Sequence, residues 1–350
     1  MIDEFLKEHT LFVETDTKLQ SATSFSQYAL KVGPSFRLIT IIGEQHNYEF
    51  KCEKDNPTIS VAKYALNTLN NNSRAQILLE INQVDIVDSS SWPRSVPILE
   101  ILKKAKKEDK SSRIIGYDMR NVWLKNTYRE ILYHYVNIVQ LFSKKQVLEF
   151  YVNPFSTVKT KTLREVKNLA YDHDAFKFLT KTLPESLESL RNRIIETIKK
   201  DWGYTHVISK GLYKGQIGTF IGLDEKFEEE FIKNDEFIIE DEEFIKVDVI
   251  SGGSGVKNFK PQNLRLYDKG LVGKRTAIIE QLKDFWMRVT DWYMLVKMFH
   301  RSDVDEIISI MGDSHHKNVS DIFSGIRNLS KQVGEKGECV SLYKTVHIKK

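Results

Sequence analysis

Four short runs of apolar, mostly β-branched residues punctuate the chain, and each stops at a glycine or a polar group. Leu38-Ile39-Thr40-Ile41-Ile42 stops at Gly43, and Gln76-Ile77-Leu78-Leu79 stops at Glu80. Arg113-Ile114-Ile115-Gly116-Tyr117 stops at Asp118, and Glu306-Ile307-Ile308-Ser309-Ile310-Met311 stops at Gly312. Runs of this length without polar alternation fit strands buried on both faces. Between the first two, residues 60–69 carry apolar groups at helical spacing. That makes strand–helix–strand, the unit of a parallel sheet. A last run, Cys339-Val340-Ser341-Leu342-Tyr343, adds an edge or terminal strand.

The middle of the chain reads differently. Residues 123–145 and 183–200 have the pattern of long helices, and 273–300 that of a third, rich in aromatics. Phe285-Trp286-Met287 and Trp292-Tyr293-Met294-Leu295 put large apolar groups round most of its circumference, which predicts burial. An acidic stretch, 224–248, runs into Ser251-Gly252-Gly253-Ser254-Gly255 and reads as a hairpin or an excursion, with a disordered loop as the competing reading. The pattern predicts an α/β fold: a central, mostly parallel sheet with helices on both faces and a helical middle insertion. It is expected as a single domain over 1–350, with 150–270 a helical and acidic insertion within it.

In an open parallel sheet, ligands bind beyond the carboxyl ends of the strands. Here the four runs end on Gly43-Glu44-Gln45-His46, on Glu80, on Asp118-Met119-Arg120 and on Gly312-Asp313-Ser314-His315. One polar residue after a strand is ordinary; four such ends on one rim gather carboxylates, imidazoles and a guanidinium. Two histidines and a carboxylate can hold a divalent metal with a position open for water, and the metal brings that water's pKa from about 15.7 to roughly 7. His46 and His315 are the candidate metal ligands. Glu44, Glu80, Asp118 and Arg120 are the candidate catalytic groups, the carboxylates as general bases and the arginine against developing negative charge. Without metal, His46 or a glutamate could activate water directly.

Each element also has an ordinary structural explanation. With 17 glycines and 9 histidines, chance alone gives roughly half a Gly-x-x-His, and three occur, at His46, His206 and His315. His206 is the chance one, since no strand run precedes it. Glu80 could be a loop carboxylate or a helix cap, and Asp118 and Arg120 could pair with each other. Asp313 could cap the helix that His316 starts. Lys103-Lys104-Ala105-Lys106-Lys107 reads as a solvated helix face.

Bulk properties narrow the class. Hydrophobic content of 41% and charged content of 29% belong to a globular chain. A net charge of +4, from 52 basic and 48 acidic residues, gives no argument for nucleic acid. No run of 18 apolar residues occurs, so no membrane contact is expected. The start, Met1-Ile2-Asp3-Glu4-Phe5-Leu6, lacks a secretion signal's basic region and apolar core. Cys52 and Cys339 are the two cysteines, which suits a reducing compartment without a disulfide framework. The expected location is therefore cytoplasmic.

Ile41-Ile42-Gly43-Glu44-Gln45-His46 resembles the opening motif of the Tiki, TraB, erythromycin esterase and ChaN-like superfamily. Its members share a Gly-x-x-His after the first strand, a glutamate after the second, and a second Gly-x-x-His near the end, preceded by a helix bearing an arginine. Glu80 and Gly312–His315 match the later elements, over roughly 40–120 and 270–320. The general character also resembles uncharacterised members encoded by large DNA viruses. For the helix arginine, Arg275 and Arg288 both qualify. The helix before a parallel strand runs opposite to it, so its N-terminus lies near the carboxyl rim; Arg275 sits there, and Arg288 is roughly 20 Å further along the axis. Arg275 is favoured and Arg288 stays as the alternative.

The resemblance implies metal-dependent proteases, esterases and haem-binding proteins. The first expectation is a hydrolase, metal-assisted, acting through water on an ester or amide bond of a small-molecule or peptide substrate. The other is a non-catalytic member that binds a ligand or protein. Convergence of Glu44, His46, Glu80 and His315 favours the enzyme; closure of the cleft by an Asp118–Arg120 pair favours binding.

Overall fold

The computed structural model describes residues 10–32, 35–45, 52, 56–81, 83–86, 96–119, 132, 136–166, 173–202, 206–208, 214, 216–223, 245–249, 255–259, 263–266, 269–299, 303–324, 326, 329–337 and 339–347. In chain order the strands are β1 (Thr10–Gln20), β2 (Ala22–Val32), β3 (Ser35–Glu44), β4 (Thr58–Ser60), β5 (Ala75–Leu79), β6 (Ile114–Gly116), β7 (His206–Ile208), β8 (Ile217–Leu223), β9 (Ile245–Val249), β10 (Gly255–Phe259), β11 (Leu264–Leu266), β12 (Glu306–Gly312), β13 (Leu329–Lys336) and β14 (Val340–His347). The longer helices are α1 (Val61–Asn71), α2 (Val96–Lys107), α3 (Phe155–Val166), α4 (Leu183–Asp201), α5 (Lys269–Phe299) and α6 (Asp313–Ser324). The chain divides into two compact units, one of 1–119, 162–184 and 288–350, the other of 120–161 and 185–287. This division cuts the chain elsewhere than the 150–270 insertion read from the sequence.

The first unit holds a six-stranded sheet in the order β13-β2-β3-β12-β5-β6. The pairings β3–β12, β12–β5 and β5–β6 are parallel, while β13–β2 and β2–β3 are antiparallel. The fold is α/β, as the pattern predicted. The strand added last in sequence among the four apolar runs, β12, fills the slot between β3 and β5. It is hydrogen-bonded on both sides, which is why its run must be apolar on both faces. On one face Ile42, Ile77, Leu79, Ile308 and Ile310 pack with α1 and α2, beside a small sheet of order β14-β1-β4. On the other face Ser309 Oγ donates to Met294 of α5, and Tyr28 of β2 stacks on Phe323 of α6.

Local chemistry explains the helix limits. Ser60 caps α1, its hydroxyl accepting from the Lys63 amide at 3.1 Å. Arg113 closes the other end of α1 by donating to the carbonyls of Leu69 and Ala75 at 2.7 and 3.0 Å. The aromatic helix α5 is buried as expected, and its tryptophan N–H groups are satisfied: Trp292 donates to the Leu179 carbonyl in the first unit, and Trp286 to the Tyr151 carbonyl in the second.

Two expectations change, and a third lies mostly outside the described residues. The long helix over 123–145 lies partly outside the described residues. Where it is described it breaks after Val136–Val139, and Ser143 starts a new turn through a capping box with Gln146. The acidic stretch lies almost wholly outside the described residues, but its flanks β8, β9 and β10 form antiparallel neighbours in a five-stranded sheet of the second unit. The cysteines, expected to be without a disulfide, are bridged: Cys52 and Cys339 have Cα atoms 5.5 Å apart across a sequence separation of 287. No described helix is long and apolar enough to cross a membrane.

Arg37 of β3 ties the sheet to the end of α5. Its fully buried guanidinium donates to the carbonyls of Val304 and Met298 at 2.8 and 2.9 Å. Replacing it with methionine leaves buried carbonyl groups without their donor, so Arg37→Met should lower unfolding free energy by about 2–3 kcal/mol, read as a lower urea midpoint with unchanged slope.

Candidate functional site

Register brings the carboxyl ends of the parallel strands to one rim. Gly312 lies opposite Glu44, Ile310 opposite Leu79, and Leu79 opposite Gly116. Glu80 follows the end of β5 directly, and Asp118 lies two residues beyond the end of β6. The Asp118 amide donates to the Ile81 carbonyl at 2.9 Å, which carries the β5–β6 alignment past the strands. Glu44 is buried and Asp118 partly exposed.

At the centre lies His315, in the first turn of α6. Its Nδ1 is 2.5 Å from Asp291 Oδ1, and its Nε2 is 3.2 Å from Glu80 Oε1. Both carboxylates are themselves held. Glu80 Oε2 accepts from the Gly312 amide at 2.9 Å, and Asp291 Oδ2 accepts from Asn318 at 3.2 Å. Asp291, on α5, is 0% exposed. Burial pulls the imidazole's pKa down, but the charges of Glu80 and Asp291 and their hydrogen bonds outweigh it and hold His315 well above the ordinary histidine value. Burial pushes Asp291 up, against the opposing pull of His315 and Asn318. The pair titrates as a unit, and its charged form is an imidazolium gripped between two carboxylates.

Tyr117 completes the floor. It is fully buried, with its hydroxyl 3.4 Å from the Ile310 carbonyl. Burial raises the phenol well above its usual pKa, and the charges of Glu80, Asp291, Asp118 and Glu44 raise it further. The rim is therefore strongly negative around one imidazole, and Tyr117 stays a neutral hydrogen-bond donor.

The structure brings together Glu80 and His315 among the sequence-derived candidates and sets Glu44 and Asp118 on the same rim. His46 and Arg120 lie outside the described residues. Arg275 belongs to the second unit. There it is 1% exposed, donates through Nη1 to the Gln140 carbonyl and lies over the Trp202 ring at 4.8 Å, with burial lowering its pKa to about 10. Sequence reasoning missed Asp291 and Tyr117. Asp291 did carry a signal: an acid within a stretch read as buried on most sides demands a partner.

For a divalent metal, His315 and Glu80 fit. Nε2 and Oε1 converge, and Asp291 on Nδ1 is the carboxylate that commonly orients a ligating histidine. Among the described residues no group of three or more His, Cys, Asp or Glu side chains could hold a metal ion, and His46, the other ligand expected from the sequence, lies outside them. A polar cleft in the second unit, lined by Lys159, Glu188 and Arg193, offers no comparable chemistry; Lys159 and Glu188 pair at 3.1 Å. No protein-family model, curated protein or solved structure matches the chain.

Beside this site, His316 has the opposite environment. It is 3% exposed, and neither ring nitrogen has a hydrogen-bond partner among the described residues. Burial lowers its pKa to about 4; Asp313 opposes the shift and Lys336 adds to it. A histidine with a depressed folded value is neutral in both states above about pH 6.5. Below that, the unfolded chain takes up the proton first, so stability falls from about pH 6.5 towards pH 4, by about 3 kcal/mol at most. His315, raised, contributes oppositely: its stabilisation is complete below the ordinary histidine value and lost as pH rises through the raised one. Chemical denaturation between pH 4 and 8 should show the acid-side loss in the native chain, and His316→Phe should flatten it.

Gly43 leaves room for this arrangement. A Cβ there would lie 2.0 Å from Ser24 Oγ and 3.1 Å from both Asp313 Oδ1 and His316 Cβ. Gly43→Ala should cost about 1–3 kcal/mol. Ser24→Ala in the same chain should recover part of that loss, a coupling that a double-mutant cycle of urea midpoints measures.

Proposed function

We propose that the first unit is a hydrolase that attacks an ester or amide bond with activated water, and that Glu80, His315 and Asp291 carry the chemistry. The observation supporting this reading most is the buried Asp291–His315 contact, with the far imidazole nitrogen facing Glu80 on the rim. Asp291 fixes the ring and stabilises its positive charge. Nε2 and Glu80 Oε1, 3.2 Å apart, can pass a proton directly between them, so the pair can take one from, or give one to, a water or leaving group docked beside it. The Gly312 amide orients Glu80, and Glu44 and Asp118 keep the rim polar. A divalent metal on His315 and Glu80, with His46 as a third ligand, would supply Lewis acidity and a water of low pKa. The resemblance to the Tiki, TraB, erythromycin esterase and ChaN-like proteins supports the same class of reaction, and a small molecule or peptide is the substrate class proposed.

One observation favours a non-catalytic binding protein instead: both ring nitrogens of His315 already have carboxylate partners, as in a locked structural pair. The two readings separate on variants. Asp291→Asn keeps the shape but removes the charge that holds the imidazolium. For an enzyme it should lower kcat about 10²–10⁴-fold, and His315→Ala should abolish turnover, with thermal midpoints within a few degrees of native. Hydrolysis of an ester and peptide panel, with and without divalent metal, should be measured beside the melting curve. Variants that bind metal as well as the native chain yet melt far lower would make the histidine structural and reject the enzyme.

A further inference from the structure

The bridge Cys52–Cys339 joins two places far apart in sequence that both lead to the rim. Cys339 follows the turn between β13 and β14, at φ 58°, and Gly337 in that turn has φ 155°. The turn is fastened to β2: the Gly337 amide donates to the Thr23 carbonyl at 3.1 Å, and Lys336 pairs with Ser24. Thr23 and Ser24 then hold the first residue of α6. Their hydroxyls donate to Asp313 Oδ1 at 3.2 and 2.7 Å. Two residues on from Asp313 is His315. Cys52 lies in the chain between β3, whose end supplies Glu44, and β4.

We propose that the Cys52–Cys339 disulfide is a thiol-responsive latch on the N-terminal turn of α6, acting through the β13–β14 turn, Thr23, Ser24 and Asp313. A covalent bond at Cys339 restrains the turn, the turn restrains residues 23 and 24, and these fix the helix end that carries His315. Both cysteines are half-buried, so a small dithiol can reach the bridge. The dithiol's thiolate attacks one sulfur of the bridge and, through a mixed disulfide, closes to its own cyclic disulfide. Two electrons and two protons pass to Cys52 and Cys339, which become thiols. As a regulator of turnover the latch rests on the site proposed above. Its test reads backbone hydrogen exchange and needs no substrate, so the two ideas fail separately.

The experiment measures amide exchange by mass spectrometry on the full chain, oxidised and after dithiothreitol, and on Cys52→Ser with Cys339→Ser. Opening the latch should speed exchange at least tenfold in 313–316 and 336–341, with α1 and the β5–β12 pairing unchanged. Ser24→Ala, with the disulfide intact, should reproduce the acceleration at 313–316 and leave 337–341 protected. Equal acceleration throughout the chain, or failure of the cysteine variant to fold, makes the bridge a general staple and overturns the proposal. So does unchanged exchange at 313–316 after reduction, or in Ser24→Ala.

Discussion

Strand β12 is paired in parallel on both sides, with β3 and with β5, and both of its faces are covered. Nothing polar and unpartnered can survive along such a strand, because each buried group without a hydrogen bond costs free energy on the order of that of the bond it lacks. Polar chemistry is therefore confined to the strand ends. Parallel pairing puts those ends on one side, where Glu44, Glu80, Asp118 and the start of α6 follow strands in register. The same covering that excludes polar groups lowers the local dielectric at the rim. Carboxylates and imidazole there interact more strongly than on an open surface, so His315 gains more from Glu80 and Asp291 than burial removes.

What could be read from the sequence followed from this constraint. Apolar runs ending in polar groups are the direct imprint of doubly covered strands, so β3, β5, β6 and β12 were legible, and with them Glu80 and His315. Strands β1 and β2 were not, because their residues mix Thr, Ser, Lys and Glu with apolar groups, as partly exposed or antiparallel strands do. Strands β7 to β11 are mostly short and joined antiparallel, and no single stretch announces them. Partners distant in sequence were invisible for a different reason. The Cys52–Cys339 bridge spans 287 residues, and two cysteines alone carry no information on whether their Cα atoms meet.

Asp291 shows how far a pattern can carry and where it stops. The helix α5 is apolar on so many sides that its periodicity says only that it is buried. An acid inside it must find a partner, but the pattern does not say which. The partner lies 24 positions away, in the first turn of the helix after the next strand, where it also meets Glu80. Arg275 behaves differently on the same helix. Its place near the helix start suggested a rim residue, whereas its described partners are a carbonyl and an indole ring within the second unit.

His315 and His316 put the same side chain into two electrostatic settings one residue apart. Successive helical positions differ by about 100°. One ring therefore turns towards Glu80 and Asp291 while the other packs beneath Gly43, without hydrogen-bond partners among the described residues. The first is favoured as a cation, the second as a neutral ring. Rotating α6 about its axis would exchange these environments badly, burying a cation against the sheet and exposing a neutral ring to carboxylates. The two histidines, with Asp313 pinned by Ser24 and Thr23, thus set the rotation of the helix as well as its position. The geometry of the Asp291–His315–Glu80 array is then a consequence of how α6 packs, which is why residues behind the rim, such as Gly43 and Ser24, bear on an array they do not touch.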